Sequence, residues 1–418
     1  MPYGFLQSAL FKHTLMLQSH TESVDSATQT GSLFTHLECP ACGLTYSADV
    51  VRTVCEDVTC LSSLFARYDL SSGFSKETLK GRPATMWRYK EFLPVMETEN
   101  IVTLGEGFTP IIPLLNLKHL ADRNEVLWKD EAGNPTGSFK ARGIGAAVSK
   151  AKELGIATIV TPTAGNAGGA LAAFAARAGI KAVVYMPKLT PQVFKDECRL
   201  YGAELIEVDG NISDCGRLAN EQATANGWFQ VSTLKEPYRL EGKKTMGYEI
   251  AEQLNWQLPD VILYPTGGGT GLIGIWKAFD EMEQLGWIGS ERPRMVAVQS
   301  ESCNGIVQAF HGEQLSSNFV DGGFTIANGL RVPKPYADKI ILKVLRDSKG
   351  TALTIPDAQM SDALKEIARY EGMLIAPEGA ALWQAFKHLK ATGWIKEQEQ
   401  VLLLNTGSGY KYLENIDI

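Results

Sequence analysis

Apolar positions alternate between two kinds of run along most of this chain. Short continuous runs predict strands at Glu125–Trp128, Thr158–Thr161, Ala182–Met186, Leu205–Val208, Phe229–Ser232, Val261–Tyr264, Met295–Gln299 and Val401–Asn405. Runs with a 3.6-residue period predict helices at Phe139–Leu154, Ala167–Ala178, Gln192–Tyr201, Cys215–Ala225, Lys243–Leu254, Leu272–Leu285 and Ser361–Tyr370. The strands read as continuous apolar runs rather than alternating ones. That predicts an α/β protein with parallel sheets covered on both faces. Sheets of this kind bind ligands at the carboxyl ends of their strands, so the loops there are the places to look.

Four such loops carry suitable residues. In the segment from Lys129 to Gly143, a break at Gly133-Asn134-Pro135 leads into a helix with Ser138 placed to cap it and Lys140 in the first turn. A helix N-terminus disfavours a cation, which suits a lysine that must lose its proton and attack a carbonyl. The loop Thr161 to Gly169 offers N–H groups for a carboxylate and, at Asn166, an amide. In Pro265 to Gly271 dense glycines let backbone N–H groups converge on a phosphate. After the last strand, Thr406 or Ser408 could meet a heteroaromatic nitrogen. Taken singly, each loop also reads as a turn or as close helix–strand packing.

Pyridoxal phosphate is the ligand that uses all four: lysine for its aldehyde, amide for its ring oxygen, glycine loop for its phosphate, hydroxyl for its ring nitrogen. A rival exists. Gly269-x-Gly271-x-x-Gly274, with Glu301 after the next strand, matches a dinucleotide fingerprint and would make a nicotinamide (NAD) oxidoreductase. It leaves the lysine and asparagine loops without a task.

With 418 residues, the chain is long enough for two well-formed domains. A net charge of −7, with no dense basic block, argues against a nucleic-acid partner, and no apolar run reaches transmembrane length. The N-terminus lacks the pattern of a signal peptide, so a cytoplasmic protein is expected. Of seven cysteines, Cys39, Cys42, Cys55 and Cys60 fall in one short segment. Two close pairs are the pattern of a zinc ribbon, but a metal-free relic of the same shape fits equally. Neither would be catalytic.

The motifs GEGFTP (105–110), NPTGSFK (134–140), AGN (164–166), PYRLEGKKT (237–245), PTGGGTG (265–271), APEGAA (376–381) and NTGSG (405–409) give the chain a family likeness. It resembles the threonine synthases, fold-type II pyridoxal-phosphate enzymes, from the Cys39 ribbon to Lys411. The resemblance implies a tryptophan synthase β-like fold: two three-layer αβα domains behind a small zinc-ribbon-like segment. The expected division is a polar tail over 1–36, the ribbon over 37–70, a large cofactor domain over 71–145 and 246–418, and a small domain over 146–245. Lys140 would then bond the cofactor and shuttle protons, Asn166 would meet the ring oxygen, Gly267, Gly268, Gly269, Thr270 and Gly271 the phosphate, and Thr406 the ring nitrogen. A hydroxyl at that last place favours elimination and replacement over transamination. Thr163, Ala164, Gly165 and Asn166 would hold the substrate carboxylate, and Arg239 with Lys243 a substrate phosphate. The implied reaction turns O-phospho-L-homoserine and water into L-threonine and phosphate, in a homodimer. Ala141 and the PTGGGTG loop resemble a second branch, the serine/threonine ammonia-lyases (dehydratases), which need no substrate-phosphate site.

Overall fold

A computed structural model describes residues 31–416; of the tail expected over 1–36, residues 1–30 lie outside them. The described chain forms one compact body. It opens on a three-stranded antiparallel ribbon in which Phe34–Glu38 pairs with Thr45–Ser47 and Phe65–Tyr68. The ribbon therefore starts inside the stretch read as tail.

The larger sheet has six strands, in the order Thr351–Ile355, Arg294–Ser300, Val261–Pro265, Gln400–Asn405, Glu125–Asp130 and Ile111–Pro113. All neighbours are parallel except the last pair, so the expectation of wholly parallel sheets fails at that edge. The edge strand is three residues ending at Pro113, short enough to end the sheet without inviting another strand. The central strands Val261–Pro265 and Gln400–Asn405 bury almost every residue, as expected where both faces are covered.

The smaller sheet is all parallel, in the order Glu204–Val208, Lys181–Pro187, Thr158–Pro162, Phe229–Gln230. Alternate residues of its strands serve opposite cores. Val160 and Val183 pack with Cys215, Ala219 and Ala223 of helix Ile212–Asn226. Ile159, Val184 and Met186 pack with Leu171 and Phe174 of helix Asn166–Ala178. The two-residue period is hidden in the sequence because both sets are apolar.

Helices Lys140–Glu153 and Tyr238–Gln253 lie against each other, and glycines let them approach closely. A Cβ on Gly143 would sit 2.6 Å from the Arg239 carbonyl oxygen, and one on Gly242 would sit 2.1 Å from that of Arg142. This contact sets the spacing of the helix starts that carry Lys140 and Arg239. Gly242→Ala should therefore cost about 1–3 kcal/mol in urea unfolding. An unchanged midpoint would contradict so tight a crossing.

Buried charge adds a second tie. Arg142 donates to Glu131 at 2.8 Å and to Glu249 at 2.7 Å, and Lys129 reaches Glu249 at 2.8 Å. All four side chains are 0% exposed. They anchor the lysine loop to the helix that carries Arg239.

Candidate active site

The carboxyl ends of Glu125–Asp130, Thr158–Pro162, Val261–Pro265 and Gln400–Asn405 lead into the four loops singled out above. Residues from all four line a single cavity of about 660 Å³. Two of the loops are joined directly. Ser138 bridges Gly407, the Phe139 N–H donates to the Thr406 carbonyl at 3.0 Å, and the Ser408 N–H donates to the Gly137 carbonyl at 2.9 Å.

Lys140 is the first residue of its helix, half-buried in the cavity wall. Burial pushes its ammonium pKa down from 10.5 to about 7, the nearby Arg239 cation adds to this, and Glu378 opposes it. The lowering expected from the sequence is present, with desolvation as its main cause. The capping expectation for Ser138 is not met. Phe139 occupies the capping position, Ser138 is held extended one residue earlier, and its hydroxyl has no partner.

Asn166 opens helix Asn166–Ala178; its Oδ1 is buried without a partner and its Nδ2 lies 3.5 Å from the Tyr412 hydroxyl. Thr163 turns its hydroxyl to the Gly165 N–H at 3.1 Å, and Asn328 donates to the Ala164 carbonyl. The Thr163 and Ala164 oxygens therefore shape the loop, which leaves first-turn N–H groups to meet an anion.

Gly267, Gly268, Gly269 and Thr270 line the cavity at the start of helix Thr270–Gln284. Gly269 caps that helix at φ 71°, a left-handed conformation that glycine adopts most easily. Gly271 lies off the cavity and packs under Tyr264, whose hydroxyl would be 2.0 Å from a Cβ there. Gly274 packs against the Lys244 backbone, and Glu301 is exposed and off the cavity wall. The dinucleotide fingerprint is thus divided between a loop and two packing contacts.

Arg239 is 1% exposed and lines the cavity. Its Nη1 donates to the Val231 carbonyl at 2.6 Å, whereas Nε and Nη2 have no partner. Lys243 is not among the residues of the cavity wall; its ammonium lies 4.9 Å from the Phe139 ring centroid. Thr406 is in the wall.

Two further residues were not singled out in the sequence. Glu378, in the first turn of helix Pro377–Ala391, accepts from the Gly329 N–H at 2.7 Å and the Tyr412 hydroxyl at 3.0 Å. Its Oε2 is buried without a partner, and burial holds its pKa up. A carboxylate inside APEGAA, just after a helix-starting proline, was the available signal. Tyr412, from the chain end, offered none.

The lining is strongly cationic. Lys140, Arg217, Lys235, Arg239, Arg331 and Lys334 face it against one carboxylate, Glu378. An amine with a pKa near 7, a glycine-rich helix start, an amide with a free oxygen and a wall hydroxyl also meet the needs of pyridoxal phosphate.

Comparison with known proteins agrees. A family described as pyridoxal-phosphate dependent enzyme matches residues 102–407. Threonine synthase of Methanocaldococcus jannaschii is 34% identical over 374 residues, 89% of this chain and 92% of its own. The Methanosarcina acetivorans threonine synthase is 35% identical over 374 residues, 89% of this chain and 91% of its own. The crystal structure of holo diaminopropionate ammonia lyase from Escherichia coli superposes with a TM-score of 0.66 at 19% identity, covering 83% of this chain and 93% of that one. This last likeness is one of fold.

Proposed function

The chain belongs to the pyridoxal-phosphate-dependent enzyme family, and on that premise we propose that it converts O-phospho-L-homoserine and water into L-threonine and phosphate. Its fold is type II and its cofactor pyridoxal phosphate, which sets the nicotinamide reading aside. Lys140 would hold the cofactor's aldehyde carbon, Asn166 its ring oxygen, the Gly267–Thr270 N–H groups its phosphate and Thr406 its ring nitrogen. When bound, the cofactor supplies a carbonyl for the substrate amine and a conjugated ring that spreads charge from the α-carbon.

The remaining work falls to the chain. The N–H groups at the start of helix Asn166–Ala178 hold the substrate carboxylate. As a neutral amine, Lys140 takes the α-proton and then moves a β-proton. The γ-carbon–oxygen bond breaks as phosphate departs, and the γ-carbon takes up a proton to become the methyl group. Water delivers a hydroxyl to the β-carbon and gives up its other proton, and Lys140 returns a proton to the α-carbon. Arg239 holds that phosphate. The observation that carries the reading is this guanidinium: fully buried, with two unpartnered nitrogens in a cavity rich in cations. A buried cation left unpaired is costly, and a dianion on the substrate relieves it. Serine or threonine would bring no phosphate of its own to this guanidinium. Simultaneous release of phosphate and threonine from O-phosphohomoserine is the test.

Removal of the cofactor exposes the lysine titration. Because the neutral amine attacks the aldehyde and the Lys140 pKa is lowered to about 7, recombination should speed up as pH rises through about 7 and level off above it. Stopped-flow absorbance reads this directly. A profile still climbing beyond pH 10 would mean an unperturbed lysine.

We further propose a cytoplasmic homodimer. All seven cysteines are free, which suits a reducing compartment, and no described helix is long and apolar enough to cross a membrane. Light scattering of the purified chain reads the assembly.

A further inference from the structure

The four ribbon cysteines have no task in the chemistry above, yet they are built into one site. Cys39 and Cys42 flank a turn with Gly43 at φ 77°, and Cys55 and Cys60 flank a second turn closed at Leu61, φ 45°. All four sulfurs lie within 4.8 Å of one another. Cys39 and Cys60 are 3.5 Å apart, as are Cys42 and Cys55. That is far beyond the roughly 2.05 Å of a disulfide. It is close to the spacing of about 3.8 Å between thiolates on a tetrahedral zinc ion, whose Zn–S bonds are about 2.3 Å.

The surroundings fit thiolates as well. Backbone N–H groups of Ala41 and Cys42 point at the Cys39 sulfur, that of Leu44 at Cys42 and that of Ser62 at Cys60. The Tyr46 hydroxyl donates to the Cys55 sulfur at 3.3 Å and is itself held by the Glu56 N–H at 2.9 Å. Donors aimed at sulfur from outside the ligand set are what orient and stabilise metal-bound thiolates. No other group of metal-ligating side chains of this kind occurs among the described residues.

The loop that follows Cys60 then meets the cavity wall. The Tyr336 hydroxyl donates to the Leu61 carbonyl, and Ser63 donates to the Leu234 carbonyl at 2.5 Å. Tyr336, Thr233 and Lys235 all line the cavity, and Leu234 sits between the last two at φ 59°. Tyr68, from the third ribbon strand, donates at 2.9 Å to Glu241 in the helix that carries Arg239.

We propose that Cys39, Cys42, Cys55 and Cys60 bind one zinc ion as four thiolates, and that the ion braces the cavity wall at 233–235 and 336 through Leu61 and Ser63. Four sulfurs in a tetrahedron select zinc among common ions, with iron the competitor. The site is closed, so its role is structural.

The test uses the holoenzyme purified without chelator and needs no knowledge of the substrate. Elemental analysis and native mass spectrometry should find one zinc per chain, with no oxidised cysteine pair. Cys42→Ser, at the exposed ligand, should lose zinc and lower the thermal midpoint while the visible absorbance of the cofactor remains. Hydrogen exchange should then rise at 232–236 and around 336 but not in the Gly267–Gly271 loop. If Cys42→Ser does not fold, zinc displacement from the natural chain by a mercurial, followed by the same exchange measurement, replaces it. Two disulfides, iron in place of zinc, or a reduced protein that takes up no zinc would overturn the metal assignment. Zinc loss with unchanged exchange at 232–236 would overturn the brace.

Discussion

Lys140→Ala should purify without the visible absorbance of bound cofactor and release phosphate from O-phosphohomoserine about 10³-fold or more slowly. Two losses coincide in this variant. The cofactor aldehyde has no amine to bond, and no group remains to carry the α- and β-protons. Alanine in a first helical turn is a good helix former, so the fold should persist and far-ultraviolet dichroism should match that of the natural chain. Cofactor held only by the Gly267–Thr270 loop and Asn166 should still be detectable by equilibrium dialysis. A coloured, active Lys140→Ala would remove the lysine from the mechanism.

Arg239→Ala should lower kcat/KM for O-phosphohomoserine by roughly 30-fold or more. That corresponds to the 2 kcal/mol or more lost when one partner of a buried charged pair is truncated. The loss should fall mainly on KM, because the guanidinium binds a group that is anionic before and after its bond breaks. Arg239→Lys keeps a charge but not the fork of donors and should recover part of the loss. A second consequence follows from its neighbour. Arg239 helps hold the Lys140 pKa down. Its removal favours the protonated amine, so the pH profile of cofactor recombination should move upward from about 7. A substrate-phosphate role predicts both effects. If Arg239→Ala leaves phosphate release intact, the anion site lies elsewhere on the cationic wall.

Much of this was readable from residues. All eight expected strands match to within two residues at each end, because buried parallel strands read as apolar runs. Phe229–Ser232 is strand only at its first two residues; Ser232 already turns towards the cavity. Thr351–Ile355 was missed because only Ala352 and Ile355 are fully buried, as befits the sheet edge. Asp338–Asp347 has a clear helical period, with Ile341, Leu342 and Leu345 buried and Lys343 exposed, and could have been read. Helix Tyr238–Gln253 begins five residues before the expected Lys243 because the Glu236 carboxylate takes the Tyr238 and Arg239 N–H groups at 2.7 and 3.0 Å.

The same contrast runs through the site. Lys140, Asn166, the glycine loop and Thr406 lie at strand ends, where the order of elements predicts a ligand. The joint task of Glu378 and Tyr412 needs the last turn of chain folded back across helix Pro377–Ala391, which no local pattern announces. Lys243 was paired with Arg239 as a charge-assisted donor to the substrate phosphate. Its ammonium, however, lies 4.9 Å from the Phe139 ring centroid and is not part of the cavity wall. Ala141, which resembles the ammonia-lyase branch, is 0% exposed in the apolar cluster of Ile144, Leu171 and Phe174, where a charged side chain would be costly.

The chemistry performed at Lys140 with a phosphorylated substrate separates the two branches. The holoenzyme should be supplied in parallel with O-phospho-L-homoserine and with L-threonine, following phosphate, threonine and keto acid together. Phosphate and threonine appearing in equal amounts from the first substrate, with slow keto-acid formation from the second, is the expected result. Rapid keto acid from threonine with no phosphate release from O-phosphohomoserine would contradict it and make the chain an ammonia-lyase.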